Sequence, residues 1–237
     1  MPYRRLPNTD QARVRALRTL LEKADSLAVY DYAVNLKTLG KVRSFLPKLE
    51  TAQRNYLDCY SRQAQSGRSH QEHTKMARLY VSHFIQVLNM SVMRGEIRAS
   101  LKQLYGLDVR NHTVPDLSSE AALVEWGQKV IVGEQRRTAQ GGVPIYNPTI
   151  AKVKVHFDIF KESYERQRGL QTSTTRFLDK VVALRAEADA IILDVWNQVE
   201  AHFASEASPA KRLQLCRMYG VVYYYRPGEK RLEEQCV

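Results

Sequence analysis

The fold is decided by residues 148–204, which read PTIAKVKVHFDIFKESYERQRGLQTSTTRFLDKVVALRAEADAIILDVWNQVEAHFA. Apolar side chains recur every three or four positions in both parts of this stretch, which is the period of an amphipathic helix. Between the parts, Gly169 and the polar run 171–175 are typical of a turn. One continuous helix through them would reach roughly 85 Å, which is unusual in a globular domain. The sequence therefore predicts two antiparallel helices here, with a single continuous helix as the alternative.

A weaker copy of this layout precedes it in the chain. Residues 38–43 match 149–154 at a shift of 111, and residues 101–107 match 215–221 at a shift of 114. Similar shifts in the same order indicate an internal repeat. The alternative is a chance likeness, because amphipathic helices resemble one another by default.

The repeat predicts the fold class. We expect an all-α protein made of antiparallel helical bundles, with about three long helices and one short helix in each of two repeat units, 1–110 and 111–237. The two units would pack as one domain or stand as two, related by a pseudo-two-fold axis. At most one short β pairing is expected, between 107–109 and the β-favouring tail 221–225.

Start and stop signals in the first unit predict four helices and one loop. Pro47 falls inside the second helix, where it predicts a kink or a later helix start. The polar run 65–69 is the clearest loop, and Gly106 can adopt the left-handed conformation that ends a helix. The predicted helices span about 9–25, 38–65, 70–94 and 97–105. Asn8, Thr9 or Asp10 can cap the first of them.

The second unit begins after a linker over 107–117. A serine at 118 or 119 is expected to cap a helix that runs to about Ala139. The segment 141–148 reads as a loop because it contains two glycines and two prolines. Beyond the long stretch, Pro209 suits the first turn of a last short helix that ends at Tyr219-Gly220.

The composition favours a soluble protein of a reducing compartment. With 237 residues, 44% of them hydrophobic, the chain is long enough to bury a substantial core. Its three cysteines, Cys59, Cys216 and Cys236, are far apart, which disfavours a disulfide framework or a structural zinc site. The chain lacks an 18-residue apolar run and an apolar segment behind its basic N-terminus. We therefore expect a cytoplasmic protein with no membrane partner.

The net charge of +11 is concentrated in the first half of the chain. Residues 1–110 carry 19 Lys and Arg against 9 Asp and Glu. Such an excess indicates attraction to an acidic partner such as nucleic acid, but charge alone favours the simpler interpretation of a well-solvated basic surface. The candidate phosphate-binding residues are Arg13, Arg15, Arg18, Lys37, Lys41, Arg43 and Lys48.

One short motif resembles a catalytic pattern. Arg78 and His83 have the Arg-x4-His spacing of the HEPN class of helical ribonucleases, and the resemblance covers six residues. It implies phosphate binding by Arg78 and acid–base work by His83. Those families usually have a polar residue directly after the arginine, where this chain has Leu79. The alternative is that His83 borders the core beside Phe84.

Other reaction signatures are missing from the sequence. His70 and His73 lie three apart and could ligate a metal from one helix face, but no Glu-x-x-His or HExxH pattern accompanies them. We therefore predict no metal and no cofactor. The Gly-rich phosphate loops and the GxSxG serine elbow are also lacking.

The sequence thus predicts a non-enzymatic helical interaction or scaffold protein that binds a protein partner or a second copy of itself. The first alternative is a nucleic-acid-binding protein that uses the basic half. The second is a helical ribonuclease centred on Arg78 and His83.

Overall fold

The structure, a computed structural model, describes residues 2–28 and 31–227. Within these ranges the protein is mostly helical, with six helices and one two-stranded antiparallel pairing. None of the described helices is both long and apolar enough to cross a membrane. The elements are, in order, β1 (Tyr3–Arg4), α1 (Asp10–Asp25), α2 (Leu36–Met93), a 3₁₀ helix (Ala99–Tyr105), α3 (Glu120–Ala139), α4 (Ile150–His202), α5 (Pro209–Met218) and β2 (Tyr223–Tyr224).

The prediction of two helices over 148–204 is wrong, because α4 is one helix of 53 residues. The polar run that reads as a turn is accommodated inside it. Thr172 donates its hydroxyl to the carbonyl of Arg168, one turn earlier, and Thr174 is buried. Serine, threonine and glycine disfavour a helix interior only weakly, so packing of the apolar stripe outweighs their preference.

The predicted loop at 65–69 is wrong for the same reason, since α2 continues through it without a break. Pro47 also lies inside α2, so it does not start a helix. Pro47 is exposed, as is Arg43, the residue whose carbonyl loses its amide partner to the proline.

Predictions that rest on local capping signals are confirmed. Thr9 caps α1 by accepting a hydrogen bond from the Ala12 amide, and Ser119 caps α3 in the same way. Pro209 occupies the first turn of α5. Gly106 ends the 3₁₀ helix with a φ of +71°, in the left-handed region that favours glycine.

The prediction that the tail 221–225 forms a β pairing is confirmed, but the predicted partner strand is wrong. Tyr223 and Tyr224 pair in antiparallel register with Arg4 and Tyr3, and not with 107–109. The ring of Tyr3 packs against that of Tyr224, with centroids 6.2 Å apart. Pairing partners that are distant in sequence leave no trace in local propensity, so the N-terminal arm could not be identified as a strand.

The described chain divides into two compact units. Unit 1 comprises residues 1–59 and 174–237, and unit 2 comprises residues 60–173. This division does not follow the boundary predicted between 110 and 111. Each compact unit contains part of α2 and part of α4. The predicted repeat units, 1–110 and 111–237, are defined by sequence likeness and stay a prediction.

Each unit has its own apolar core. In unit 1, α1, the first part of α2, the last part of α4 and α5 bury a set that includes Leu20, Leu49 and Trp196. In unit 2, Phe84 and Phe160 pack with residues of α3 and the 3₁₀ helix. Full burial of one such side chain contributes about 1.5–3 kcal/mol.

Three side chains fix the linker 107–117 to unit 2. Arg78 donates to the carbonyls of Leu117 and Ser118, each at 2.9 Å. Asn89 donates to the carbonyl of His112, and the fully buried ammonium of Lys102 donates to that of Asn111. These bonds attach the backbone carbonyls of an irregular segment to neighbouring helices.

Candidate functional site

A groove of about 940 Å³ opens on unit 2, and we call it the loop-141 groove. Its walls are the end of α2, the segment 96–101, the end of α3 and the loop 141–147. This volume lies in the range of about 300–1,000 Å³ that is typical of ligand sites. Unlike the two cores, it is lined by both polar and apolar side chains.

A buried charged network holds the groove in shape. Glu134 and Arg137 lie one turn apart on α3 and form a two-pronged ion pair, with nitrogen–oxygen distances of 2.8 and 2.9 Å. Tyr105 donates its hydroxyl to Glu134. The network also binds the loop backbone, since Arg137 donates to the Val143 carbonyl and Glu134 accepts from the Ile145 amide. The loop is therefore fixed by side chains that solvent does not reach.

Two glycines let the loop pass over this network. Gly141 has a φ of +85°, which an L-residue rarely adopts. A Cβ on Gly142 would stand 2.9 Å from the Arg137 carbonyl oxygen, too close for any side chain. The Gly-Gly pair that reads as a helix breaker in the sequence is thus required by the close approach of the loop to Arg137.

The electrostatics of the network keep its charges fixed. Burial tends to raise the pKa of Glu134, but the hydrogen bonds from Arg137 and Tyr105 outweigh it and leave that pKa below its ordinary value. Burial and the bond to Glu134 raise the pKa of Tyr105. The carboxylate therefore stays ionised and the phenol stays protonated at neutral pH, which suits a structural role and not proton transfer.

The rim of the groove combines apolar side chains with arginines. Val143 and Tyr146 are 68% and 76% exposed. Arg94 forms an exposed ion pair with Glu96 at 2.7 Å, and Arg98 lines the groove from an exposed position. Together these groups can hold an apolar side chain against the loop and a carboxylate against a guanidinium.

The predicted histidine pair is separated by its surroundings. His70 is buried, with Nε2 2.8 Å from a Glu120 oxygen and Nδ1 2.9 Å from the Ser163 hydroxyl. His73 instead bonds the hydroxyl of Ser69 at 3.1 Å. Within the described ranges, no three His, Cys, Asp or Glu side chains come together as metal ligands.

The predicted phosphate-binding residues fall into two groups. Arg13 is buried and bonds Asp189 through two nitrogens, at 2.8 and 2.9 Å, so it belongs to the fold of unit 1. Arg18 and Arg43 pair with Glu50 and Asp25, respectively. The remaining candidates have exposed side chains: Arg15, Lys37, Lys41 and Lys48.

Of these, Lys37, Lys41 and Lys48 form a stripe on α2. Their spacing of four and seven residues places all three ammonium groups on one face of the helix. The stripe lies wholly within unit 1.

The side chains of Arg78 and His83 project from α2 in different directions. Arg78 is occupied by the linker carbonyls described above, and His83 is exposed. Five positions apart on a helix, their side chains project about 140° from each other. The ribonuclease hypothesis stays a prediction.

The burial of three charged residues of unit 2 was not predicted from the sequence. Glu134, Arg137 and Lys102 are among the most buried polar residues of this unit. Charged residues on an amphipathic helix are normally assigned to its solvent face. The usable signal is an acid–base pair at i, i+3 that directly precedes a Gly-Gly loop. Of the cysteines, Cys59 is half-buried and Cys216 buried, both as free thiols, and Cys236 lies outside the described residues.

Comparisons with protein families, with curated proteins and with solved structures give no match for this chain.

Proposed function

We propose that this chain is a non-catalytic helical interaction protein, and that its loop-141 groove binds a short segment of a protein partner. The segment would carry an apolar side chain next to a carboxylate. The observation that carries the proposal is a groove whose shape is fixed by a buried ion pair while its rim is left open. Such preorganisation lowers the entropic cost of binding.

The charges of the rim select the partner. Arg94 and Arg98 face the groove with Glu96 as the only carboxylate among its lining residues. The ion pair of Arg94 with Glu96 is exposed, and such pairs are worth little, so a partner carboxylate can replace it. Val143 and Tyr146 offer the apolar area that usually dominates the binding energy of an interface.

The same proposal includes an internal duplication. The element order supports it, because a capped helix, a long helix and a short helix occur twice: α1, α2 and the 3₁₀ helix, then α3, α4 and α5. Both short helices end in Tyr-Gly with a left-handed glycine, with a φ of +71° at Gly106 and of +84° at Gly220. Both predicted copies contribute to the groove, since lining residues fall within 87–101 of the first copy and within 137–147 of the second.

The test is a peptide-display selection against the full chain. We expect enrichment of peptides that place Leu, Ile, Met or Phe beside Asp or Glu. Their affinity should fall at least tenfold in the variant Arg98→Glu with Tyr146→Ala, a loss of about 1.4 kcal/mol.

The control is Arg110→Glu with Leu79→Ala, which makes the same charge change and also truncates an exposed apolar side chain of unit 2. Both control residues are exposed and neither lines the groove. Enriched peptides that bind both variants like the parent protein would refute the proposal. So would a selection that enriches none.

A second candidate function, nucleic-acid binding, is favoured by the stripe Lys37, Lys41 and Lys48. Three phosphate contacts would make the logarithm of the affinity for duplex DNA fall with the logarithm of salt concentration with a slope of about −3. Replacing the three lysines by Glu should abolish that binding. The control replaces three exposed lysines of unit 2, Lys75, Lys154 and Lys161, and an equal loss in both would mean non-specific attraction.

A further inference from the structure

A second, smaller cleft of about 270 Å³ lies on unit 2, and we call it the His70 cleft. Its lining side chains are two arginines, two histidines, three serines and one glutamine, so each of them can donate a hydrogen bond. Among the described residues, no carboxylate and no apolar side chain lines it. The lining residues are Arg62, Gln65, Ser66, Ser69, His70, His73, Ser163 and Arg166.

The cleft exists because α2 runs without a break beside α4. Arg62, Ser66, Ser69 and His73 are spaced by four, three and four residues, which places them on one face of α2. Arg166 follows Ser163 by three residues and belongs to one face of α4. A loop at 65–69 would have scattered these groups, so the continuous helix is what aligns the donors.

The floor of the cleft is rigid. His70 is 5% exposed, and its ring stacks on that of Phe160 with centroids 6.0 Å apart. Glu120 holds one ring nitrogen from outside the cleft. The hydroxyl of Ser163 donates to the Phe160 carbonyl at 2.8 Å, and its oxygen lies 2.9 Å from Nδ1 of His70. The ring is thereby fixed by three neighbours.

The groups above the floor are available to a ligand. Arg166 pairs with Glu162 at 2.8 Å, but both side chains are more than half exposed, so the pair contributes little and can open. Arg62 is exposed at the opposite wall. Two guanidinium groups with histidine and serine donors between them match the charge and the acceptor oxygens of a tetrahedral oxyanion.

We propose that the His70 cleft binds a phosphate-class oxyanion, either as the free ion or as a phosphomonoester group on a larger molecule. Arg62 approaches it from α2 and Arg166 from α4, Ser66 donates from α2, and the hydrogen-bonded pair Ser69 and His73 supplies one further donor. This site is separate from the loop-141 groove and does not depend on the function proposed for that groove.

The test titrates the full chain with inorganic phosphate at constant ionic strength, followed by the ring-proton signals of the six histidines in NMR spectra. Variants at His70 and His73 assign the two signals of interest. We expect saturable shifts of the His73 signal with a dissociation constant of about 1 mM or lower. The variant Arg62→Gln with Arg166→Gln should weaken binding at least tenfold.

The control variant, Arg54→Gln with Arg176→Gln, removes the same two charges from α2 and α4 at exposed positions in unit 1. It should bind phosphate like the parent protein. A parallel titration with phenyl phosphate distinguishes the sources. Tighter binding of the ester indicates a phosphorylated macromolecule or metabolite, and binding of phosphate alone indicates the free ion.

Absence of saturable shifts with both probes would overturn the proposal, as would equal weakening by the control variant. Circular dichroism of each variant confirms that its helices are retained, which is expected because all four arginines are exposed.

Discussion

The two compact units stabilise charged groups in different ways. Unit 2 seals a complete network away from solvent, in which Glu134, Arg137 and Tyr105 are almost fully buried. Unit 1 keeps its counterpart at the edge of the core, where Arg13 joins Asp189 and Asp10 with acidic side chains that are 31% and 18% exposed. Removing one partner should therefore have unequal consequences, because water can replace a lost partner only where it has access.

The largest effect is expected for Glu134→Ala. It leaves Arg137 buried without a counter-ion, which costs about 3–5 kcal/mol of unfolding free energy. Asp189→Ala should cost about 1 kcal/mol, since Arg13 keeps Asp10 as a partner. Hydrogen exchange of α3 amides reports unit 2 and that of α1 amides reports unit 1. Equal losses in the two variants would contradict the comparison.

The stability that this network provides should depend on pH. The pKa of Glu134 in the folded state lies below the ordinary value of 4.5. The Glu134 carboxylate therefore contributes fully to the free energy of unfolding above the pKa of the unfolded state. This contribution is lost as the pH falls through the pKa of the folded state. We expect the stability difference between the parent protein and Glu134→Gln to be constant near neutral pH and to shrink below pH 4.5. A difference that grows in acid would reverse the assigned sign.

The two Tyr-Gly corners provide a third comparison. Both glycines have positive φ, so alanine at either costs about 1–2 kcal/mol. At Gly220 a Cβ would also stand 2.9 Å from the carbonyl oxygen of Ala16, which is backbone and cannot move aside. At Gly106 it meets only the flexible Lys129 side chain, at 3.3 Å. Urea unfolding should rank Gly220→Ala as the more damaging, and the opposite rank would count against the close approach.

The smallest effect concerns Gly169 and has the opposite sign. A Cβ there meets nothing within 4 Å, and the residue lies inside α4. Alanine should stabilise unit 2 by about 0.5–1 kcal/mol, since glycine is a poor helix former. A destabilising result would instead favour the turn that the sequence predicts at this position. Thermal unfolding followed by circular dichroism measures the change.

Local signals determined what could be predicted. The starts of α1, α3 and α5 follow from Thr9, Ser119 and Pro209, because each acts on amides within the next few residues. The runs 65–69 and 171–175 misled because their residues favour turns only slightly, and the cores on either side decide the outcome.

The candidate sites show the same limit. The His70 cleft cannot be predicted without knowing that α2 continues through 65–69, and the loop-141 groove cannot be predicted without knowing that Glu134 and Arg137 are buried against the loop. The basic excess was visible in the sequence, but the burial of Arg13 was not. Its partner, Asp189, is 176 positions away.

Unit 1 is built from two separate segments of the chain, which limits how the chain can be cut. Unit 1 joins residues 1–59 to residues 174–237, and unit 2 spans the linker 107–117. A protease cut in that linker would leave neither fragment with a finished core. Each fragment alone should expose apolar helix faces and precipitate or unfold. The two fragments mixed together should regain structure by complementation.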